Sequence, residues 1–498
     1  MTLPLVPYPL SVTEHDAPAF RLDDGVGITG DDTCAEQLRR ALATVTAGTL
    51  GHGEGIRLEI IAGGPAESAT IEVSSAGVVV TGADAAGLFY GVHTLVQLVR
   101  RDTEGWSIPA VSISDRPRFS YRGVMLDVAR HFFDVETVCG WIDRAAALKV
   151  NHLHLHLSDD QGWRIALASR PGLTEKAAAT AIGPDDGGHY TADDYAHIVA
   201  HAASRHMTVV PELDMPGHTH AVGLAYPEVV EHPVITDEVR AAAEEFGGGL
   251  PRTGVPYRGL AVGFSSLRIS DPETDRFVRD VFTDLAALTP GPYLHLGGDE
   301  ALGTDPARFA SFIARATEII TGLGKTPIAW HEAGAAAGLA AGTIGQYWGF
   351  VTPTDGMDAT ARRFVAGGGS LILSPSDAVY LDMKPEPEFP LGLTWANGHT
   401  SVRRAYTWEP SSVIEGIAEE DILGVEAPLW TETARTAADI DALAFPRLAA
   451  AAEAAWSPAT DTCTERTWES FRTRVGAQGP RWRAQGIHFH ASEEIPWA

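Results

Sequence analysis

Two adjacent carboxylates, Asp299 and Glu300, follow a pair of glycines at the end of the short apolar run Tyr293–Leu296. Neighbouring side chains leaving a strand point in different directions, so one carboxyl can reach a leaving-group oxygen while the other addresses another part of the same ligand. Glycines at 297 and 298 let the backbone turn tightly. A carboxyl among apolar and acidic neighbours keeps its proton to higher pH, as a general acid requires. Taken alone, the tetrad equally describes a solvated turn or the acidic start of a helix. Other apolar runs, however, also end in polar groups: Asp127 and Arg130; Asp159 and Asp160; Glu212, Asp214 and His218; Trp330, His331 and Glu332; Trp430 and Glu432. Trp330, Trp348, Trp395 and Trp430 fall at or just beyond such ends or in the long loop after the seventh run. Any one of them could be a core aromatic; four on one rim suit a sugar, whose apolar ring faces stack on indoles.

Positioning these groups requires parallel strands whose C-terminal ends share a rim. Eight runs qualify: 123–127, 152–157, 207–213, 293–296, 327–330, 343–347, 370–373 and 422–429. Helical patterns separate them. Val138, Trp141, Ile142, Ala145 and Leu148 recur at helical spacing after the N-cap candidate Asp134, and Thr191 with Asp194 forms a capping-box pattern. Alternating units of this kind predict an α/β fold, a (β/α)8 TIM barrel with its site at the strand C-termini. Alanine-rich 333–341 reads as an ordinary helix.

Before the barrel, residues 1–117 read as a small α+β domain: a helix over Ala35–Val45 behind the N-cap candidate Thr33, strands at 56–60, 69–73 and 78–81, and a helix from about Ala83 to Val99 weakened by Gly87 and Gly91. The polar, proline-bearing stretch 114–118 marks the boundary, leaving 118–498 as the catalytic barrel.

A rival chemistry comes from His152, His154 and His156, which alternate with leucines and therefore face one side of a strand, a pattern that can hold a metal. The alternative is that they pack and hydrogen-bond inside the barrel while the leucines meet the helices. Later strand ends offer no evident completing ligands, so no metal and no cofactor is expected.

At 498 residues the chain exceeds one compact core, and its 45% apolar and 20% charged content is that of a globular protein. No stretch approaches the roughly 20 apolar residues of a membrane span. A net charge of −28 disfavours nucleic acid and anionic lipid and suits a neutral ligand. The 3 cysteines are scattered, without a CxxC pair. The opening MTLPLVPYPLSV has no basic segment and carries prolines, unlike a secretory signal, which predicts a cytoplasmic location. Oligomeric state is not legible.

The motifs Arg122–Phe132, His154–Arg164, Pro211–His218, His295–Glu300 and Trp430–Glu432, in this order, closely resemble the family 20 glycoside hydrolases, the β-N-acetylhexosaminidases. Residues 1–117, with Gly87–Val92, resemble the small domain that precedes the barrel in that family. The resemblance implies an exo-acting, retaining enzyme that removes terminal N-acetylhexosamine, gluco or galacto, from oligosaccharides or glycoconjugates. In that scheme the substrate's acetamide oxygen attacks the anomeric carbon to give an oxazolinium ion. The resemblance casts Glu300 as general acid and base, Asp299 as the group that orients the acetamide, and Tyr380 as donor to the acetamide oxygen. It casts Trp330, Trp348 and Trp430 as pocket walls, Trp395 as a platform for the next sugar, and Arg130, Asp382 and Glu432 as hydroxyl binders. Asp159 and His218 become the supporting network beside the acid. A sugar-binding barrel without catalysis is the other class to weigh, and the presence of both Asp299 and Glu300 counts against it.

Overall fold

The computed structural model describes residues 3–46, 48, 51 and 53–498; Met1 and Thr2, at the start of the opening stretch, lie outside them. Tyr121–Asp127 (β1), His152–His156 (β2), Thr208–Glu212 (β3), Tyr293–His295 (β4), Thr326–Trp330 (β5), Ile344–Tyr347 (β6), Leu371–Leu373 (β7) and Ile422–Ala427 (β8) form a closed barrel, every neighbouring pair parallel. This is the expected TIM barrel. The predicted helix caps are present: Asp134 accepts from Thr137 N at 2.8 Å, and Thr191 and Asp194 form a reciprocal capping box on helix Ala192–Ala203.

The barrel interior is filled in layers. Tyr121, Val210, Ile328, Ile344 and Ile372 form an apolar plug at the strand N-terminal end. Above it, His154, Glu212, His295, Gln346 and Glu426 make a fully buried polar layer. Met125, Trp330, Tyr380, Met383, Ala396 and Trp430 form an aromatic cluster at the rim. Leu153, Leu155 and Leu157 meanwhile join the large core outside the strands, as a period of two demands.

A six-stranded sheet precedes the barrel, in the order Ser11–Glu14, Val111–Asp115, Ala69–Ser74, Gly77–Gly82, Ile56–Ile60, Ile28–Gly30. Strand Ala69–Ser74 buries every other residue, so one face meets helix Ala85–Gln97. Gly87 and Gly91 do not weaken that helix. A Cβ on Gly87 would sit 2.2 Å from Ser68 O, and one on Gly91 2.8 Å from Val80 Cγ1, so the glycines permit the close approach of helix to sheet. A small sheet of Phe20–Leu22, Gly105–Ile108 and Arg100–Asp102 has no counterpart in the sequence reading.

Two expectations are corrected. The first helix begins at Asp32 and is capped by Asp31, whose Oδ1 accepts from Cys34 N at 2.9 Å, rather than by Thr33. Residues 333–341 do not form an ordinary helix: a 3-10 turn, His331–Ala335, gives way to irregular chain. Gly338 at φ +85° interrupts any helix, Gly334 lies against the Thr360 carbonyl, and helix Met357–Ala366 covers β6 instead. Among the described residues, no helix is long and apolar enough to cross a membrane.

Candidate active site

The loop leaving β4 brings Asp299 and Glu300 over the barrel mouth. Gly297 and Gly298 have φ of +73° and +95°, and a Cβ on Gly297 would fall 1.7 Å from Asp214 Oδ1, a clash no side chain could relieve. The gap lets Asp214 Oδ1 accept from Gly298 N at 3.0 Å, locking the turn. Glu300 and His218 themselves hold positive φ, +40° and +53°, a strained state of the kind that collects where side-chain placement matters more than backbone comfort.

His218 is central to the rim. Its Nδ1 lies 3.1 Å from Asp159 Oδ1, while its buried Nε2 lies 3.7 Å from Asp299 Oδ2 and 3.5 Å from Glu300 Oε2. Burial opposes its charge, but Asp159, Asp214 and Asp299 outweigh that and hold the imidazole well above its usual range. Burial likewise pushes the Asp159 carboxyl up, yet Arg130, with its Nη2 2.8 Å from Asp159 Oδ2, and His218 hold it well below the usual carboxylate range. Asp299 shifts upward through burial and the nearby Glu300 and Glu212 carboxylates. Asp214 is pushed well above its usual value by burial and by Asp299, so the two carboxyls compete to stay ionised. Asp214 was collected above as a strand-end residue without a role; its contact with the Gly-Gly turn supplies one.

The polar layer beneath accounts for the histidine run. His154 hydrogen-bonds Glu426 through Nδ1 at 2.8 Å and Glu212 through Nε2 at 3.1 Å, and His156 joins Glu212 and Asp159. His154, Glu212 and His295 are close enough for metal-ligand spacing, but both His154 ring nitrogens are engaged by carboxylates. The hydrogen-bonding account therefore describes the run. His152 stacks on Tyr121 at 4.0 Å. Glu426 was missed in the sequence; its signal is a carboxylate inside an otherwise apolar strand.

The pocket walls are aromatic. Trp330 is fully buried, donates from Nε1 to Glu212 at 2.9 Å and lies 6.0 Å from Trp430; it forms the innermost wall. Tyr380 packs against Trp430 and Trp395. Trp348 donates from Nε1 to Glu332 Oε2 at 2.8 Å, a half-buried carboxyl raised well above its usual value by desolvation and by Asp299. Trp395 stands at the mouth, 48% exposed, edge-on to Trp348 at 6.0 Å. One carboxylate ties these walls together: Asp377 accepts from Val351 N at 2.8 Å, Asn397 Nδ2 at 3.3 Å and Arg404 Nη2 at 3.0 Å. It thus links the loop after Trp348, the short helix Ser376–Val379 that precedes Tyr380, and the turn carrying Trp395.

On the opposite wall, the Arg130 guanidinium lies 4.8 Å from the Trp430 ring centroid. Asp382 is raised well above its usual value by burial and by Glu432, and Glu432 is raised to about 7 by burial and Asp127, against the pull of Arg130. Asp299 Oδ1, both Asp382 carboxylate oxygens and Glu432 Oε2 are buried without a well-aligned hydrogen-bond partner among the described residues. An aromatic cluster flanked by unpartnered acceptors suits a small ligand that carries N–H and O–H donors around an apolar ring.

Comparison with known proteins agrees with this geometry. The model of the glycosyl hydrolase family 20 catalytic domain matches residues 119–307 and 302–459, and that of the family's domain 2 matches residues 2–116. A Cellulomonas fimi protein described as a beta-N-acetylhexosaminidase is 38% identical over 99% of this chain and 97% of its own length. A solved family 20 beta-N-acetylglucosaminidase is 59% identical, with TM-score 0.92 and full coverage of both chains (100% each). A mutant Streptomyces plicatus beta-hexosaminidase in complex with product (GlcNAc) is 41% identical, with TM-score 0.89 over 100% of this chain and 98% of that one. The chain belongs to glycosyl hydrolase family 20, the β-N-acetylhexosaminidases, and is a glycoside hydrolase.

Proposed function

We propose that the enzyme removes terminal, non-reducing β-linked N-acetylhexosamine from oligosaccharides or glycoconjugates, with the residues above in the following roles and with 1–117 and 118–498 as its two domains. Glu300 donates a proton to the glycosidic oxygen as the bond from that oxygen to the anomeric carbon breaks. The substrate's acetamide oxygen forms the new bond to that carbon, so charge passes to the acetamide nitrogen and an oxazolinium ion results. Asp299 accepts from the acetamide N–H and stabilises that charge, and Tyr380 donates to the acetamide oxygen. Glu300, now a carboxylate, takes a proton from water as water attacks the anomeric carbon and the bond from that carbon to the acetamide oxygen breaks, which restores the acetamide; two inversions give net retention.

Trp330, Trp348 and Trp430 enclose the acetamide methyl, while Arg130, Asp382 and Glu432 bind the ring hydroxyls and close the pocket behind the terminal sugar, which enforces exo action. Trp395 supports the leaving group at the mouth, and Asp159 with His218 holds the charge balance beside Glu300. The observation that carries this reading is one buried aromatic pocket holding unpartnered carboxylate oxygens at Asp299, Asp382 and Glu432.

A thiazoline analogue of the oxazolinium tests it. We expect competitive inhibition with an inhibition constant at least a hundredfold below the KM of an aryl N-acetyl-β-glucosaminide, because transition-state and intermediate mimics bind far more tightly than substrate. Inhibition no tighter than that by free N-acetylglucosamine would refute it.

A further inference from the structure

Beside Glu300 the rim carries an open hollow of about 460 Å³, lined by Glu300, Glu332, Asp355 and Trp348 together with Leu302, Phe309 and Met357. Glu300, the proton donor at which a leaving group departs, lines it, and so does Trp348 of the aromatic wall. The Trp348 ring, which meets Trp395 edge-on, stands between it and that platform. Leu302 leaves 71% of its surface in water, the greatest exposure of any large apolar side chain among the described residues. The apolar strip runs on from there: Leu302 packs against Gly263, and Gly303 against Val234, itself 44% exposed. The two threonines lining the hollow direct their hydroxyls elsewhere, Thr304 to Ser266 Oγ at 2.7 Å and Thr360 to Met357 O at 2.8 Å.

We infer that this hollow is a leaving-group subsite for an apolar aglycone, an alkyl or aryl group rather than a further sugar. The inference rests on Glu300 being the proton donor. A sugar carries hydroxyls on every edge; it finds polar partners here at Glu300, His331, Glu332 and Asp355 but loses water against Leu302, Phe309 and Met357 without regaining hydrogen bonds along that stretch. An alkyl chain loses nothing there, and it covers apolar surface that otherwise faces solvent. Glu300 and Glu332 meet the glycosidic oxygen end of such a ligand, and the carbon wall meets its tail.

Methyl, butyl and octyl N-acetyl-β-glucosaminides, used below micelle-forming concentrations, test the assignment. Their leaving alcohols are nearly equal in basicity, so kcat/KM across the series reads binding of the chain. Each methylene taken from water is worth about fourfold, and we expect octyl to exceed methyl by at least tenfold. Leu302→Asp, at an exposed position that tolerates charge, and Met357→Ser should each bring octyl to within about threefold of methyl. An octyl value within twofold of methyl in the unaltered enzyme overturns the subsite. So does an octyl advantage that survives both variants and disappears in Trp395→Ala, which would put the chain on the tryptophan platform. Failure to hydrolyse any N-acetylhexosaminide, including the nitrophenyl glycoside, would instead remove the assignment of Glu300 on which the subsite rests.

Discussion

Proton donation and charge stabilisation make opposite demands on two neighbouring carboxyls at one pH, and here His218 mediates between them. Its Nε2 lies 3.7 Å from Asp299 and 3.5 Å from Glu300, so the same imidazolium offsets both when either ionises. Glu300→Gln should cut kcat, and the cut should depend on the leaving group. A nitrophenolate departs with little protonation, whereas an alkoxide needs the full contribution of a general acid, about 10²–10⁴-fold. Steady-state kinetics on nitrophenyl and methyl glycosides should therefore show the larger loss for methyl; equal losses would argue against proton donation by Glu300. Asp299→Asn should lower kcat on both to a similar degree, by about 10²-fold or more, because its charge acts on the acetamide and not on the leaving group. Unchanged thermal unfolding would show that neither effect comes from misfolding.

The elements that hold these side chains differ in how plainly they can be read. β1 through β8 show as apolar runs because both faces of a barrel strand are buried. Capped helices such as Ala192–Ala203 announce themselves through residues whose only local task is to satisfy backbone N–H groups. Asp299, Glu300, Trp330, Trp348 and Trp430 sit at or just beyond strand ends and Trp395 in the long loop after β7, so their grouping follows from topology. Asp214, Glu426 and Asp377 were not assigned because their roles lie in contacts across 84, 272 and 26 residues of chain, to Gly298, His154 and Val351, which local pattern does not encode. Residues 333–341 read as helix in the sequence because alanine content says nothing of the Thr360 carbonyl that Gly334 must accommodate. The β4 turn gives a sharp test. Gly297→Ala combines an unfavourable φ with a Cβ on the Asp214 carboxylate, and we expect urea unfolding to show a loss of about 2 kcal/mol or more, accompanied by loss of activity. At Asp377, removing the carboxylate (Asp377→Ala) should loosen the turn that carries Trp395. KM for a disaccharide should rise severalfold while kcat for a nitrophenyl glycoside changes little, and Asp377→Asn, which keeps an acceptor, should recover part of the loss.

At the scale of the whole molecule, the charged layer inside the barrel couples folding to pH. Burial opposes charge on His154 and His156, but Glu426 and Glu212 lift the first to about 9, and Glu212 and Asp159 lift the second to about 10, from an ordinary value of 6.5. Groups with raised folded-state values stabilise fully below the unfolded value, and that stabilisation fades as pH climbs from about 6.5 through 9 and 10. Glu212 and Glu426 are shifted downward because the histidines outweigh the cost of burial, so their contribution is present above about 4.5 and fades as pH falls below it. The melting temperature should accordingly decline on both flanks; a value constant from pH 6.5 to 10 would contradict the charged-layer account. The same layer, with the apolar plug of Tyr121, Val210, Ile328, Ile344 and Ile372 below it, has a kinetic consequence. A cavity sealed at its base has a single doorway, so nothing can exit from beneath. The alcohol nearest the doorway must go first, water must follow by the path it vacates, and the freed monosaccharide must come out last. In product-inhibition experiments the monosaccharide should therefore compete with substrate for empty enzyme, and the alcohol should give a noncompetitive pattern.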